Sequence, residues 1–306
     1  MTEAPLLAVI TGPTGTGKSD LAVNLASALD GEIINADSMA LYCGFDIGTA
    51  KPSLAEREKV PHHLIDILAP DQSFDAAAYL RLARPIVEQL TREGKPALAV
   101  GGTGFYLRSL IHGLFEGPGR DDDFRRALAL ERDAGVDLHA RLAKCDPETA
   151  SRLAPADRVR IERALEVFHL SGRSISEWQR EHGLTEKPFR LISFIIDRPP
   201  AEMARRLEQR TRLMFERGLM AETEKLLAAG WDLNLKPFGA IGYKEALEHL
   251  RGLVTLDEAM EKTITATRRY AKRQRTWFRG QMPEALWYHP DQADEILVKL
   301  REFFCA

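Results

Sequence analysis

Residues 12–19 read Gly-Pro-Thr-Gly-Thr-Gly-Lys-Ser, a complete match to GxxxxGK[ST]. The chemistry of that spacing is the grip of a polyphosphate. Glycines let consecutive backbone N–H groups turn inward around phosphate oxygens. A helix starting at the lysine adds the partial positive charge of its N-terminus. On this reading Gly12, Pro13, Thr14, Gly15, Thr16, Gly17, Lys18 and Ser19 form the cradle. Lys18 neutralises the outer phosphate, and the Ser19 hydroxyl can hold Mg²⁺. The pattern specifies a polyphosphate and leaves ATP and other diphosphates equally open.

Two further segments carry candidate chemistry. A strand-like run at 32–36 ends in Asn35-Ala36-Asp37-Ser38, and another at 97–100 ends in Gly101-Gly102-Thr103-Gly104. Ligands of a parallel sheet gather at the carboxyl ends of its strands, so Asp37 and Thr103 are expected to flank the phosphate loop. The 97–100 strand lacks the acidic residue with which an ATPase holds magnesium after its Walker B strand. Asp37 can take that role, act as a general base, or cap a turn.

The elements that must position these residues are legible as alternation. Leu6–Thr11 is an apolar run bounded by glycine, and 19–29 has Leu21, Leu25 and Leu29 at helical spacing. Strand–helix alternation of this kind predicts an α/β core of the phosphate-loop type, with a mostly parallel sheet flanked by helices. From 120 to 182 no strand-like run occurs. Helical patterns at 124–134, 138–144, 147–153 and 159–171 fill that stretch, with Asp146-Pro147 as cap and first turn. The run at 191–197 then restores a buried strand. The expected organisation is a core of residues 1–118 and 190–306, interrupted by an all-helical insertion at 119–189. Helices at 200–229 and 257–279, a strand at 285–288 and a helix from 291 complete it. On a helix over 264–279, Arg268, Lys272, Arg275 and Arg279 share one face, with Ala266, Tyr270 and Trp277 nearly opposite. That predicts an outward basic stripe suited to a phosphate backbone.

The chain has 306 residues, 44% hydrophobic and 28% charged, enough for a sizeable core. A net charge of −3 neither announces nor excludes a nucleic-acid partner. Cys43, Cys145 and Cys305 are far apart and form no CxxC pair, which argues against disulfides or a zinc module and fits the cytoplasm. No basic leader precedes the first apolar run, and no stretch approaches the ~20 apolar residues that span a bilayer. A cytoplasmic protein without membrane contact is expected, monomeric because no coiled coil is evident. Adjacent His62 and His63 diverge on a strand, so no metal role is assigned to them. The Asp121-Asp122-Asp123 run is expected to cap the first insertion helix.

Seven blocks in order carry a more specific signal: GPTGTGKS at 12–19, NADSMALYCGFDIGTAKP at 35–52, VPHHLIDI at 60–67, GGTGFYLRSL at 101–110, DRVRIERALEVF at 157–168, AIGYKEAL at 240–247 and RRYAKRQRTWFRG at 268–280. Together they resemble the signature blocks of the bacterial tRNA dimethylallyltransferase (tRNA isopentenyltransferase) family. The resemblance implies transfer of a dimethylallyl group from dimethylallyl diphosphate to N6 of the adenosine immediately 3′ of the anticodon in tRNA, releasing diphosphate, with Mg²⁺ as cofactor. By match, Lys18 and Arg210 meet the diphosphate, Asp37 is the general base, and Thr103 hydrogen-bonds near the reacting base. The target base must leave its stack to reach the donor. The tRNA contacts carried over are Asp37, Ser38, Met39, Ala40 and Thr103 in the core. In the insertion they are Arg125, Val159, Arg160, Ile161, Glu162 and Arg163, set against the anticodon arm. Two departures stand out: Val159 occupies a position often held by Gln, and Gly104-Phe105 replaces an expected Met-Leu or Gly-Leu. Other readings of the same loop are an isopentenyltransferase acting on free adenine nucleotides, a small-molecule kinase, and a non-catalytic RNA-binding switch.

Overall fold

The computed structural model describes residues 4–115, 117–182 and 187–305. It divides into two compact units, Met1–Ile111 with Lys187–Ala306, and His112–Glu186.

The first unit begins with β1 (Leu6–Thr11), α1 (Lys18–Leu29), β2 (Glu32–Asn35), α2 (Leu54–Lys59), β3 (His62–His63), α3 (Ala76–Arg92), β4 (Ala97–Gly101) and α4 (Gly104–His112). Leu7, Ala8, Val9 and Ile10 of β1 are wholly buried, as their unbroken apolar run requires of a strand covered on both faces. The second unit consists of α5 (Asp122–Asp133), α6 (Leu138–Cys145), α7 (Pro147–Arg152), α8 (Arg158–Ser171) and α9 (Ile175–His182). The chain then returns to the first unit as β5 (Arg190–Ile196), α10 (Pro200–Glu216), α11 (Leu219–Ala228), α12 (Tyr243–Leu250), α13 (Leu256–Gln281), β6 (Leu286–Tyr288) and α14 (Ala293–Cys305).

The six strands form one sheet in the order β3-β2-β4-β1-β5-β6, and every named pair is parallel. β1 lies between β4 and β5, so the loop that follows it emerges at the middle of the carboxyl edge. The Thr11 hydroxyl donates to the Gly101 carbonyl at 2.8 Å and locks the two central strand ends together. Ala22 and Ala26 of α1 and Ile296 and Leu300 of α14 bury against Ala8, Ile10 and Phe194 of the sheet.

The five strands read from the apolar runs all form. The strand on which His62 and His63 were set side by side is the short β3, half-buried and at the edge of the sheet. The expected helix over 200–229 is two helices, broken at Gly218, whose φ of 100° leaves the helical region. Pro85 sits inside α3, whose buried residues Tyr79, Ala83, Val87 and Leu90 keep helical spacing on either side of it.

The helical unit is held by Leu128, Leu142, Ile161, Leu165 and Val167, and by aspartate caps. Asp121, Asp137, Asp146 and Asp157 cap α5, α6, α7 and α8, each accepting the N–H three residues on. Each cap contributes on the order of 1 kcal/mol. This unit starts at His112, ahead of the expected 119. Phe115 stacks on Trp178, and Arg163 binds the Pro118 and Gly119 carbonyls, which ties the lead-in to these helices.

Candidate active site

The loop after β1 takes its shape from glycines and from side chains of the distant half of the chain. A Cβ on Gly12 would lie 2.1 Å from the Ile196 carbonyl oxygen, so no other residue fits there. Gly17 caps α1 with φ 88°, in the left-handed region. The first ladder bond of α1 runs from Leu21 N–H to the Gly17 carbonyl, 3.1 Å. The N–H groups of Lys18, Ser19 and Asp20 are therefore left over by the helix for an anion.

Three arginines converge on this loop. Arg198 Nε donates to Thr16 O at 2.9 Å, Arg206 Nε to Gly15 O at 3.3 Å, and Arg210 Nη1 to Thr14 Oγ1 at 3.2 Å. Arg210 was expected beside the diphosphate. Arg206 and Arg198 were not, although Arg206 lies one helical turn before Arg210 and the i,i+4 spacing was there to be read.

The end of β2 is a tight polar knot. The Asn35 side chain accepts from Asp37 N–H at 3.0 Å and donates to Asp37 O at 3.0 Å and Leu64 O at 2.8 Å. Asp37 Oδ1 accepts from Met39 N–H at 2.9 Å. Thr103 accepts from Ser38 N–H through Oγ1 at 2.9 Å, and its own N–H donates to Ala36 O at 3.0 Å. Asp37 is thus a turn cap through one oxygen, while Oδ2 accepts nothing from the described residues.

Thr14, Lys18, Ser19, Asp37, Arg206 and Arg210 line one cavity of about 930 Å³. Ala40 lines it too, with Ser38 and Met39 half-buried in the same turn. Desolvation of its ammonium pushes Lys18 down to about 8; the Asp37 carboxylate opposes the shift and the Arg210 guanidinium adds to it. Burial likewise lowers Arg210, with Asp37 and Asp20 opposing and Arg206 adding. Another part of the wall is pinned by Lys51, whose ammonium binds Asp46 at 2.7 Å and Asp66 at 2.5 Å. His62 and His63 take separate partners, the Val60 carbonyl and the Glu32 carboxylate.

The candidate residues of the helical unit divide sharply. Arg125 forms a bidentate pair with Glu166 at 2.7 and 2.8 Å, and Arg163 reaches the same carboxylate at 2.5 Å. Burial alone would raise Glu166; the Arg125 guanidinium, the Asp121 N–H and Arg163 overcome that and hold it at about 2. Glu162 pairs with Arg132 at 2.8 Å. Ile161 is 2% exposed in the helical core, so its side chain offers no surface to RNA, contrary to expectation. Arg160, whose side chain is 70% exposed and pairs with Asp157, and Val159, 78% exposed, face solvent.

The basic stripe expected on α13 is also corrected. The buried face of that helix carries Ala259, Thr263, Ala271, Gln274 and Phe278 rather than Tyr270 and Trp277. Arg275 is engaged by Asp197 at 2.7 and 2.8 Å, and Arg268 by Glu208 at 3.0 Å. Lys272 remains exposed, and Arg279 lies over the Trp287 ring. Helical spacing alone placed the apolar face wrongly because small and polar side chains form the contact. Gln274, which accepts from Thr14 N–H and donates to the Gly102 carbonyl, both at 2.8 Å, had no sequence signal as a site residue.

A parallel sheet with a phosphate-loop sequence after its central strand and a carboxylate two strands away defines an α/β protein of the phosphate-loop type. The family model described as IPP transferase matches residues 40–281, and the chain belongs to that family. It is 47% identical over 303 residues to a tRNA dimethylallyltransferase of Geobacter sulfurreducens, covering 97% of this chain and 96% of that protein. It is 48% identical over 288 residues to one of Syntrophobacter fumaroxidans, covering 94% and 83%. Among solved structures it resembles the tRNA isopentenylpyrophosphate transferase of Bacillus halodurans, at 36% identity and TM-score 0.71 over 98% of this chain and 97% of that one. A eukaryotic dimethylallyltransferase acting on tRNA shares 30% identity and TM-score 0.78, covering 92% and 73%. No helix among the described residues is long and apolar enough to cross a membrane.

Proposed function

We propose that this enzyme transfers the dimethylallyl group of dimethylallyl diphosphate to N6 of the adenosine immediately 3′ of the anticodon in tRNA. The observation that carries this reading is the shared cavity, with Asp37 on one part of its wall and the Lys18 and Arg210 cations on another. The names of its relatives supply the donor and the RNA acceptor.

The adenine N6 lone pair is delocalised into the ring and is a poor nucleophile. Asp37, fixed through Oδ1, takes the N6 proton on Oδ2 as the new C–N bond forms. The allylic C–O bond breaks and its electrons leave on the diphosphate, where Lys18, Arg206, Arg210 and the free N–H groups of α1 meet the charge. Thr103 uses an oxygen lone pair on Ser38 N–H and keeps its hydroxyl proton for the acceptor base. Near the loop the Ser19 hydroxyl and the Asp20 carboxylate line the cavity as hard oxygen donors that would hold Mg²⁺. There Mg²⁺ would supply charge neutralisation of the leaving diphosphate. In the helical unit, Arg160 and Val159 are the exposed candidates for the anticodon arm. The protein acts as a monomer on this reading.

The test is incubation with dimethylallyl diphosphate, Mg²⁺ and unmodified tRNA whose anticodon is followed by adenosine. A prenyl mass gain on that nucleotide is expected, and transfer to free AMP in competition with tRNA would redirect the reading to a mononucleotide acceptor. Asp37→Ala should lower kcat by about 10²–10⁴ with tRNA affinity kept. Turnover at the wild-type rate in that variant would remove Asp37 as the base.

A further inference from the structure

We infer that Gln274 of α13 is a positioning residue that sets the distance between the diphosphate loop and the acceptor-side turn. Its side chain is one of the few buried amides of the molecule, 7% exposed. Its Oε1 accepts from Thr14 N–H and its Nε2 donates to Gly102 O, both at 2.8 Å. The two partners fix the orientation of the amide, because a backbone N–H can face only the oxygen and a carbonyl only the nitrogen. Gln274 therefore joins the loop that grips phosphate to the residue directly before Thr103.

Space around the amide shows that the turn is shaped to receive it. A Cβ on Gly102 would lie 2.6 Å from Gln274 Nε2. One turn further along α13, the Trp277 ring would lie 2.3 Å from a Cβ on Gly104. The glycines either side of Thr103 are thus where α13 seats on the turn. Between them Arg275 binds the Asp197 carboxylate and the Arg198 carbonyl, and Arg198 in turn donates to Thr16 O. One segment of α13, 274–277, braces three strand-end turns at once. Gln274 holds the loop at Thr14 N–H and leaves the N–H groups at the start of α1 for the ligand.

A glutamine is the required type. Glutamate would set a second acceptor against the Gly102 carbonyl, and alanine would leave Thr14 N–H and the buried Gly102 O without these partners. The consequence is looser donor binding and slower transfer with tRNA affinity untouched. The kinetic part of this inference rests on the proposed prenyl transfer; the diphosphate-binding part does not.

The experiment measures the affinity of the full-length protein for inorganic pyrophosphate with Mg²⁺ by calorimetry. It also measures kcat and KM for dimethylallyl diphosphate and KM for tRNA, with a thermal melt to confirm folding. The proteins are wild type, Gln274→Glu, Gln274→Ala, Gly102→Ala and the Gln274→Ala/Gly102→Ala pair. Gln274→Glu, which keeps the side-chain size, should weaken pyrophosphate binding by about tenfold or more. KM for tRNA should stay within about twofold. Gly102→Ala should do similar harm alone and add little once Gln274 is alanine, since its methyl group then meets no amide. Folded Gln274 variants that bind pyrophosphate like wild type would overturn the inference, as would equal rises in both KM values or full additivity of the pair. If wild type binds pyrophosphate but transfers no prenyl group, the reaction is wrong and the pyrophosphate arm still decides the role of Gln274.

Discussion

Two arginine clusters, one beside the phosphate loop and one in the helical unit, are partnered in opposite ways. Around the phosphate loop, Arg206 and Arg210 rest on a backbone carbonyl and a threonine hydroxyl, partners that cancel no charge. In the helical unit, Arg125 and Arg163 close on Glu166, a carboxylate with no exposed surface. The first arrangement holds positive charge beside a cavity without a direct ion pair among the described residues. The second uses positive charge to stabilise a buried anion, where breaking the pair leaves an isolated charge. A count of basic residues along the sequence sees no difference between them. What separates ligand-ready charge from structural charge is the partner.

This contrast can be broken by crossed substitutions. The largest effect is expected from Lys18→Ala, which should lower kcat/KM for the diphosphate donor by about 10³. The melting temperature should hold or rise, because the wild-type ammonium is desolvated. Wild type should also lose donor affinity as pH rises through about 8, where Lys18 gives up its proton, and Lys18→Ala should lack that titration. A drop in stability from Lys18→Ala would mean that the lysine is structural.

Glu166→Gln should show the reverse pattern, with a stability loss on the order of 3 kcal/mol read by denaturant melts. The sign of its pH dependence follows from the depressed Glu166 value. The contribution is complete above the ordinary carboxylate range near 4.5 and disappears as pH falls toward about 2. Acid melts of wild type and Glu166→Gln should therefore converge across that window. Arg160→Ala should have the smallest effect. Its exposed pair with Asp157 contributes little to stability. The expected change is a reduction of about one in the salt slope of tRNA binding. An unchanged slope would remove the exposed end of α8 from the RNA face.

The core was legible because its signals are local. An apolar run such as Leu6–Thr11 or 191–197 needs no partner to be recognised, and Gly17-Lys18-Ser19 announces its own turn. Asp37 and Thr103 could be proposed from topology, since they follow strands that flank β1 or lie one strand beyond it. The misread features depend on who sits opposite. Arg275 looks like a surface cation until Asp197 is placed against it. Ile161 looks like part of a contact block until the insertion core forms around it. Gln274 could not be singled out, because its two partners lie 260 and 172 positions away in sequence.

Those separations also order the birth of the molecule. A ribosome makes the phosphate loop first, and the clamps that shape it, Arg198, Arg206, Arg210 and Gln274, follow 182 to 260 positions later. The nascent chain thus carries a finished recognition sequence long before it carries a finished pocket. β1 must also wait for β5, synthesised after the whole helical unit, which is free to collapse on its own caps and core while β1 lacks one neighbour. Contacts spanning most of the chain close slowly, so donor binding should be among the last properties a growing polypeptide acquires.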